Sequence, residues 1–216
     1  MRELTLSATD EQTPALVDDA TWSSVSQSTR FVFLDGASGS GKSTVKNALL
    51  RDPAFRFSYA KRYTTRATRP DDAQNDDYIF ISMDQFLALE AAGDLIERRH
   101  FLFGMSYGVG KSVLAAAAKA SPNVLSLMNL GNVREIKLVL PHAICILIDA
   151  PLEAIERRIR QRGVNSDEQI AERLENARTV KFRRHEYDFI LLNEDSQFDA
   201  AYTSLKSYLR QKELGE

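Results

Sequence analysis

The sequence predicts a three-layer α/β fold: a mostly parallel sheet with helices on both faces, an inserted lobe and a helical lid. Three observations carry that expectation. Short apolar runs alternate with longer amphipathic segments, a rhythm that requires crossover connections and therefore parallel pairing. A glycine-rich turn joins the first apolar run directly to the first helical segment. Between residues 57 and 108 the rhythm changes to short strand-like pieces among arginines and Asp/Asn-rich turns, which marks an insertion.

Residues 1–29 are polar, Ser/Thr-rich and net acidic, and read either as a loosely ordered arm or as a short docked helix, with Trp22 placed to pin it. The folded body is expected over 30–216. Phe31-Val-Phe-Leu34 is a buried strand by its continuous apolar character. A helix follows from Lys42, with Val45, Ala48 and Leu49 on one side, until Pro53 stops it. In the insertion, Tyr78-Ile-Phe-Ile81 and Leu95-Ile96 read as strands around a helix over 83–92. An alanine-rich helix over 111–120 comes next, then strands over 124–128 and 143–148 and a strongly amphipathic helix over 151–162. The turn Gly163-Val-Asn-Ser166 opens a long polar helix, giving a lid over about 162–180. A strand over 189–192 and a helix ending near Leu209 complete the chain.

Composition excludes several classes. The 28 Lys and Arg against 30 Asp and Glu leave a formal charge of −2, which argues against a general nucleic-acid binder, whose affinity rests on a basic excess. One cysteine, Cys145, excludes an intrachain disulfide framework and a cysteine-rich zinc site. No apolar run approaches the roughly 18 residues of a membrane span, and the start lacks the pattern of a secretory signal. A soluble, cytoplasmic protein is expected, and nothing in the sequence sets its oligomeric state.

The turn after the first strand is Gly36-Ala-Ser38-Gly39-Ser40-Gly41-Lys42-Ser43, matching G-x-x-x-x-G-K-[ST], with Thr44 next. Its position between a strand and a helix is the context that motif needs. Glycines let the backbone curl so that its N–H groups point at phosphate oxygens, and the helix N-terminus adds a field favourable to anions. Lys42 reaches the outer phosphates and Ser43 can ligate Mg²⁺, so the loop points to ATP with Mg²⁺. Whether the phosphoryl group goes to water or to a substrate is not set by the loop.

The arginines bear on that choice, because transfer between two phosphates gathers negative charge that cations must offset. One cluster is Arg62-Tyr-Thr-Thr-Arg66-Ala-Thr-Arg69-Pro70, with Tyr78 downstream. Another is Arg157-Arg158-Ile-Arg160-Gln-Arg162, in which Arg158 and Arg162 share a helix face. Arg173 lies beyond the 163–166 turn, where a hinged segment can carry it over ATP.

These pieces together resemble the guanylate kinases, from about Phe31 to Leu209. The matching elements are the loop 36–44, Thr64-Thr65-Arg66-x-x-Arg69-Pro70, Asp77-Tyr78-x-Phe80, Glu97 and Tyr107-Gly108. The lid Arg162-Gly163-x-x-Ser166-x-Glu168-x-Ile170-x-x-Arg173-Leu174 and Tyr187-Asp188-Phe189 with Asn193 complete the set. The resemblance implies a P-loop kinase fold and ATP-dependent transfer to the phosphate of a small acceptor. It assigns the acceptor phosphate to Arg66, Arg69, Tyr78 and Tyr107. The moving phosphoryl group falls to Lys42, Arg158, Arg162 and Arg173, with Mg²⁺. Asn193 would lie near adenine, and Glu97 would face the acceptor's base edge.

Departures from the family pattern concentrate on that base. Arg62 stands where a serine is usual, Val109 follows the Tyr-Gly pair in place of Ser or Thr, and an Asp-x-Asp pattern is replaced by Ser126 and Met128, with Asn129 following. Lost hydroxyl and carboxylate partners weaken selection of guanine. Arg-Tyr-x-Thr-Arg and Tyr-Gly-Val-Gly are instead similar to the ribose 1,5-bisphosphate phosphokinases, where Arg62 would meet a further negative charge. A nucleoside monophosphate acceptor with altered base recognition is the leading expectation and a phosphosugar the alternative. A non-catalytic binding module of the same fold is the alternative from another class.

Asp35 and Asp149 each have two readings, a water-mediated Mg²⁺ contact or a local backbone role; for Asp149 that role is capping the helix that begins near Pro151. His100, His142 and His185 lack metal-ligand spacing, and Cys145 reads as a packing residue.

Overall fold

The structure, a computed structural model, describes residues 14–68, 72, 76–101, 104–161, 163, 166–195 and 197–215. Helix α1 (Asp19–Ser28) leads into strand β1 (Arg30–Asp35), and α2 (Lys42–Arg51) follows the glycine-rich turn. Strands β2 (Ser58–Ala60), β3 (Arg62–Thr64) and β4 (Tyr78–Phe80) precede α3 (Met83–Ala91), β5 (Leu95–His100) and β6 (Ser106–Gly110). The chain continues through α4 (Lys111–Ala118), β7 (Asn123–Leu127), α5 (Val133–Val139) and β8 (Ile144–Asp149). It closes with α6 (Leu152–Gln161), α7 (Asp167–Phe182), β9 (Phe189–Leu192) and α8 (Phe198–Gln211).

The main sheet is parallel throughout, in the order β2-β7-β1-β8-β9. Its central strands are covered on both faces, which is why they read as continuous apolar runs. Successive side chains alternate between the faces. Val32 and Leu34 of β1 pack with Val45 and Leu49 of α2 and Leu205 and Leu209 of α8. Phe31 and Phe33 share the opposite core with Val113 and Leu114 of α4 and Ile136 of α5. Between α6 and α7 a third small core joins Ile155 and Ile159 to Ile170 and Ala177.

A second sheet, β4-β3-β6-β5, forms the inserted lobe, with β3 and β4 parallel and β6 antiparallel to both β3 and β5. Ser58–Ala60, which the sequence groups with this lobe, is instead the edge strand of the main sheet against β7. Strand β5 extends past Ile96 through the charged stretch to His100, because pairing with β6 overrides the low strand propensity of Glu-Arg-Arg-His. Strand β6 and helix α5 were not legible. Ser-Tyr-Gly-Val-Gly becomes a strand through its two antiparallel neighbours, and α5 has seven residues, too few for a periodic signal.

Of the two readings of the N-terminal segment, the docked helix holds over 19–28. Asp18 caps it by accepting the Thr21 N–H at 2.8 Å, and Trp22 is buried against Phe31 with ring centroids 6.2 Å apart. Residues 1–13 lie outside the described residues.

Candidate active site

All five parallel strands of the main sheet point their carboxyl ends to one edge, the usual place for a ligand crevice in an open α/β sheet. There β1 runs into the glycine-rich turn and α2. Gly41 has φ of +101°, and a Cβ at this position would collide with the side-chain amide of Asn193. Asn193, just past β9, donates from Nδ2 to the Ser40 carbonyl at 2.7 Å, so its amide is committed to bracing the loop. A Cβ on Gly36 would meet the Ile148 carbonyl and the Ser40 hydroxyl, which places that hydroxyl inside the curl.

The loop's donors fit a phosphate. Ser40 Oγ is buried and has no hydrogen-bond partner among the described residues. Lys42 Nζ donates to the Gly36 carbonyl and, at 3.2 Å, to the Ala37 carbonyl, so its ammonium lies across the loop. Gly39 and Gly36 are buried, Ser38 and Ser43 half-buried, and Thr44 exposed in the first turn of α2.

Asp35 makes the backbone contact of its second reading and adds further partners. It accepts the Gly36 N–H at 2.6 Å, the Gly131 N–H at 2.8 Å and the Tyr187 hydroxyl, clasping the loop's start to the turn after β7 and to the segment before β9. Burial pushes its pKa above the ordinary range despite these donors. Asp149 accepts the Ala150 N–H at 2.8 Å and pairs with Arg184, a partner neither reading named.

Arg158 reaches from α6 over the loop. Its guanidinium donates to the carbonyls of Gly39 and Asn193, each at 3.2 Å, and to Asp195 at 2.9 Å. Arg173 is half-buried on α7, at helical spacing from Ile170 and Ala177, which pack on α6. Ser166 opens α7 with a reciprocal capping box to Gln169. Arg162 and Arg69 lie outside the described residues.

The expected acceptor residues Arg62, Arg66, Tyr78, Tyr107 and Glu97 come together on the lobe. Register sets Arg62 beside Tyr78 and Thr64 beside Tyr107. The Arg62 guanidinium carbon stands 5.8 Å from the Tyr78 ring centroid and 5.7 Å from that of Tyr107, and Arg66 stands 4.9 Å from Tyr78. Arg66 pairs bidentately with Asp72, at 2.8 and 2.5 Å, which raises its pKa. Asp72 was missed by the sequence reading; its only signal is an acidic residue six positions after an arginine.

Glu97 is fully buried, and its pKa is pushed up by burial. Its carboxylate accepts from Asn129 Nδ2 at 2.7 Å and Asn132 Nδ2 at 2.9 Å, and Arg62 lies 3.9 Å away. Asn129 Oδ1 in turn accepts from Arg62, whose Nε meets no partner among the described residues. Val109 and Met128 are buried, and Ser126 spends its hydroxyl on the Ala60 carbonyl at 2.9 Å. Neither asparagine was assigned a role from sequence, although Asn-Leu-Gly-Asn at the carboxyl end of a parallel strand is the kind of position that carries one. This turn bridges the two halves of the site: Met128 N–H donates to Leu34, Gly131 N–H to Asp35, and Asn129 reaches the lobe.

Among the described residues no group of three or more His, Cys, Asp or Glu is placed to hold a metal, and no helix is long and apolar enough to cross a membrane. His100 bonds Ser106 Oγ at 2.8 Å, and burial pushes the Cys145 thiol up to about 12, far from a reactive thiolate.

Comparison with known proteins agrees with this geometry. The family profile for guanylate kinase matches residues 28–212. The chain is similar to the guanylate kinase of Shewanella denitrificans, 33% identical over 178 residues that cover 82% of this chain and 84% of the relative. That of Sus scrofa is 33% identical over 189 residues, 86% and 94% of the two chains, and that of Escherichia coli is 30% identical over 192 residues, 88% and 91%. The crystal structure of guanylate kinase from Anaplasma phagocytophilum superposes with a TM-score of 0.64 at 24% identity, covering 85% and 86% of the chains, a likeness of fold.

Proposed function

The chain belongs to the guanylate kinase family and is an ATP-dependent phosphotransferase, and from that premise we propose a nucleoside monophosphate acceptor whose base is read in an altered way. The single observation that carries the altered reading is the state of Glu97: its carboxylate is already satisfied by the Asn129 and Asn132 amides. Those N–H groups take the place that paired N–H groups of a guanine-like ring would take. Val109 and Met128 add no hydrogen bond through their side chains, so the base end of the acceptor site is poor in free acceptors.

The phosphate end is rich in donors. Arg66, with Arg62, Tyr78 and Tyr107 around it, holds the acceptor's phosphate, and exchange of the Asp72 carboxylate for that phosphate keeps the Arg66 fork bidentate. Lys42 and the loop N–H groups hold the phosphates of ATP, and Ser40 supplies a buried hydroxyl to them. Arg158 and Arg173 neutralise charge between the two substrates, and α7 carries Arg173 inward as the lid closes. When bound, Mg²⁺ supplies further neutralisation of the phosphates, with Ser43 as its protein ligand. Excluding water from this space favours transfer over hydrolysis.

Replacing Arg66 with Ala tests the assignment. The acceptor KM should rise by at least about tenfold while the KM for ATP stays within about twofold. An equal loss of both sinks the separation of the two grips.

A second reading is favoured by one observation: Arg62 is a buried cation whose Nε has no partner among the described residues, at the point where the family pattern has serine. An acceptor with a second anionic group, such as ribose 1,5-bisphosphate, would satisfy it. Turnover of that sugar with no turnover of any nucleoside monophosphate would establish this reading over the first.

A further inference from the structure

Lys46 lies one turn beyond Lys42 on α2, on the side of the helix that Val45 and Leu49 make apolar, and it is 2% exposed. Packing alone calls for an apolar residue there, since a buried ammonium is costly without a close partner. Its partner is Asp77, itself buried, which takes the ammonium in an ion pair. Tyr59 of β2 completes the group: its hydroxyl donates to Asp77 Oδ1 at 3.0 Å, and Lys46 Nζ sits 4.9 Å from its ring centroid. Three elements meet at this point, the helix that starts at the phosphate loop, the edge of the main sheet and the start of the lobe strand β4.

Asp77 is tied to the acceptor cluster by its backbone. Its carbonyl accepts the Arg62 N–H at 3.0 Å, and the next residue is Tyr78, paired in register with Arg62. One residue thus holds the phosphate-loop helix through its side chain and the acceptor strands through its main chain. We propose that the buried Lys46–Asp77–Tyr59 group is a positioning link that sets the acceptor lobe at its working distance from the phosphate loop. Lys46 touches neither substrate; it acts through Asp77 on Tyr78 and Arg62. The link rests on the assignment of the acceptor phosphate to that cluster.

The test is steady-state kinetics, with KM for Mg·ATP and for GMP as the acceptor measured separately. Removing both charges with Lys46→Met and Asp77→Asn together leaves no uncompensated buried charge and keeps an acceptor for the Tyr59 hydroxyl. This double variant should raise the acceptor KM by about tenfold and leave the KM for ATP within about twofold, a split that general loosening of the fold would not give. Tyr59→Phe keeps the ring and the ion pair and removes only one hydrogen bond to Asp77, so it is expected to fold in any case. It should raise the acceptor KM by about two- to threefold. Wild-type acceptor KM in Tyr59→Phe, or in a folded double variant, overturns the link. Arg66→Ala, run beside them, separates the two failures. If it raises the acceptor KM and the Lys46–Asp77–Tyr59 variants do not, the link alone is wrong. If it too leaves the acceptor KM unchanged, the acceptor assignment is wrong and the link falls with it.

Discussion

Glu97 illustrates how one residue's surroundings set both chemistry and stability. Burial raises its pKa above the ordinary glutamate range, with desolvation outweighing the Arg62 charge and the asparagine amides. A carboxyl whose folded pKa lies above its unfolded one binds more protons when folded, so its contribution is fully present below the unfolded value and is lost as pH rises through the folded one. The stability of Glu97→Gln relative to wild type should therefore increase as pH rises from about 4.5 upward, read from urea midpoints at several pH values. A falling difference would show that Glu97 is held as a stabilised carboxylate, and a flat one that its pKa does not change on folding; either contradicts the raised value. Sequence placed Glu97, Arg62, Tyr78 and Tyr107 at the acceptor, and the structure assembles them. It did not expose Asn129, Asn132 or Asp72, because each works through a hydrogen bond to a residue distant in sequence or across a loop, and a pairing of that kind leaves no spacing to read.

At the scale of elements, the phosphate loop was legible because its constraints are local. Gly41 must be glycine for its φ of +101° and for the approach of Asn193, so Gly41→Ala should cost about 1–2 kcal/mol in backbone strain and weaken ATP binding. Denaturant melts and ATP titrations check both parts. Helix α7 is a similar case. Ser166 and Gln169 satisfy each other's backbone N–H groups at the start of α7, and Ser166→Ala should cost about 1 kcal/mol. That loss should appear as faster hydrogen exchange in the first turn of α7, with slower exchange sites in β1 and β8 unaffected. By contrast, β2 and β3 have only three residues each, and β6 and the outer half of β5 were obscured by glycine and charged residues. Their strand character comes from pairing with neighbouring strands, on one side for β2 and β5 and on both for β3 and β6, and a local pattern does not register tertiary pairing of this kind.

At the scale of the molecule, one apolar core runs from the main sheet into the lobe, and a few buried polar contacts add direction to it: the Asp35 clasp, the Asn129 bridge and the Lys46–Asp77 pair. Parallel topology brings the ends of β1, β7, β8 and β9 to one edge, and the polar contacts set the lobe against it. The alternation of apolar runs was enough to foresee the first arrangement. The second depends on which polar side chains meet, and only the folded molecule displays that. Helix α1 adds a small clamp to one face, and Trp22→Ala should lower stability by about 3 kcal/mol, measured by urea denaturation. The proposed function retains the phosphate grip and exchanges the base grip. Its most direct test is kcat/KM for GMP and AMP, measured side by side on the wild-type protein with Mg·ATP. A site with free polar partners for one base rejects analogues by about 10⁴-fold or more, so the satisfied Glu97 carboxylate predicts a GMP to AMP ratio below about 10³. A ratio of 10⁴ or above would contradict the account, because it would require Glu97 to release both asparagines and read guanine in full.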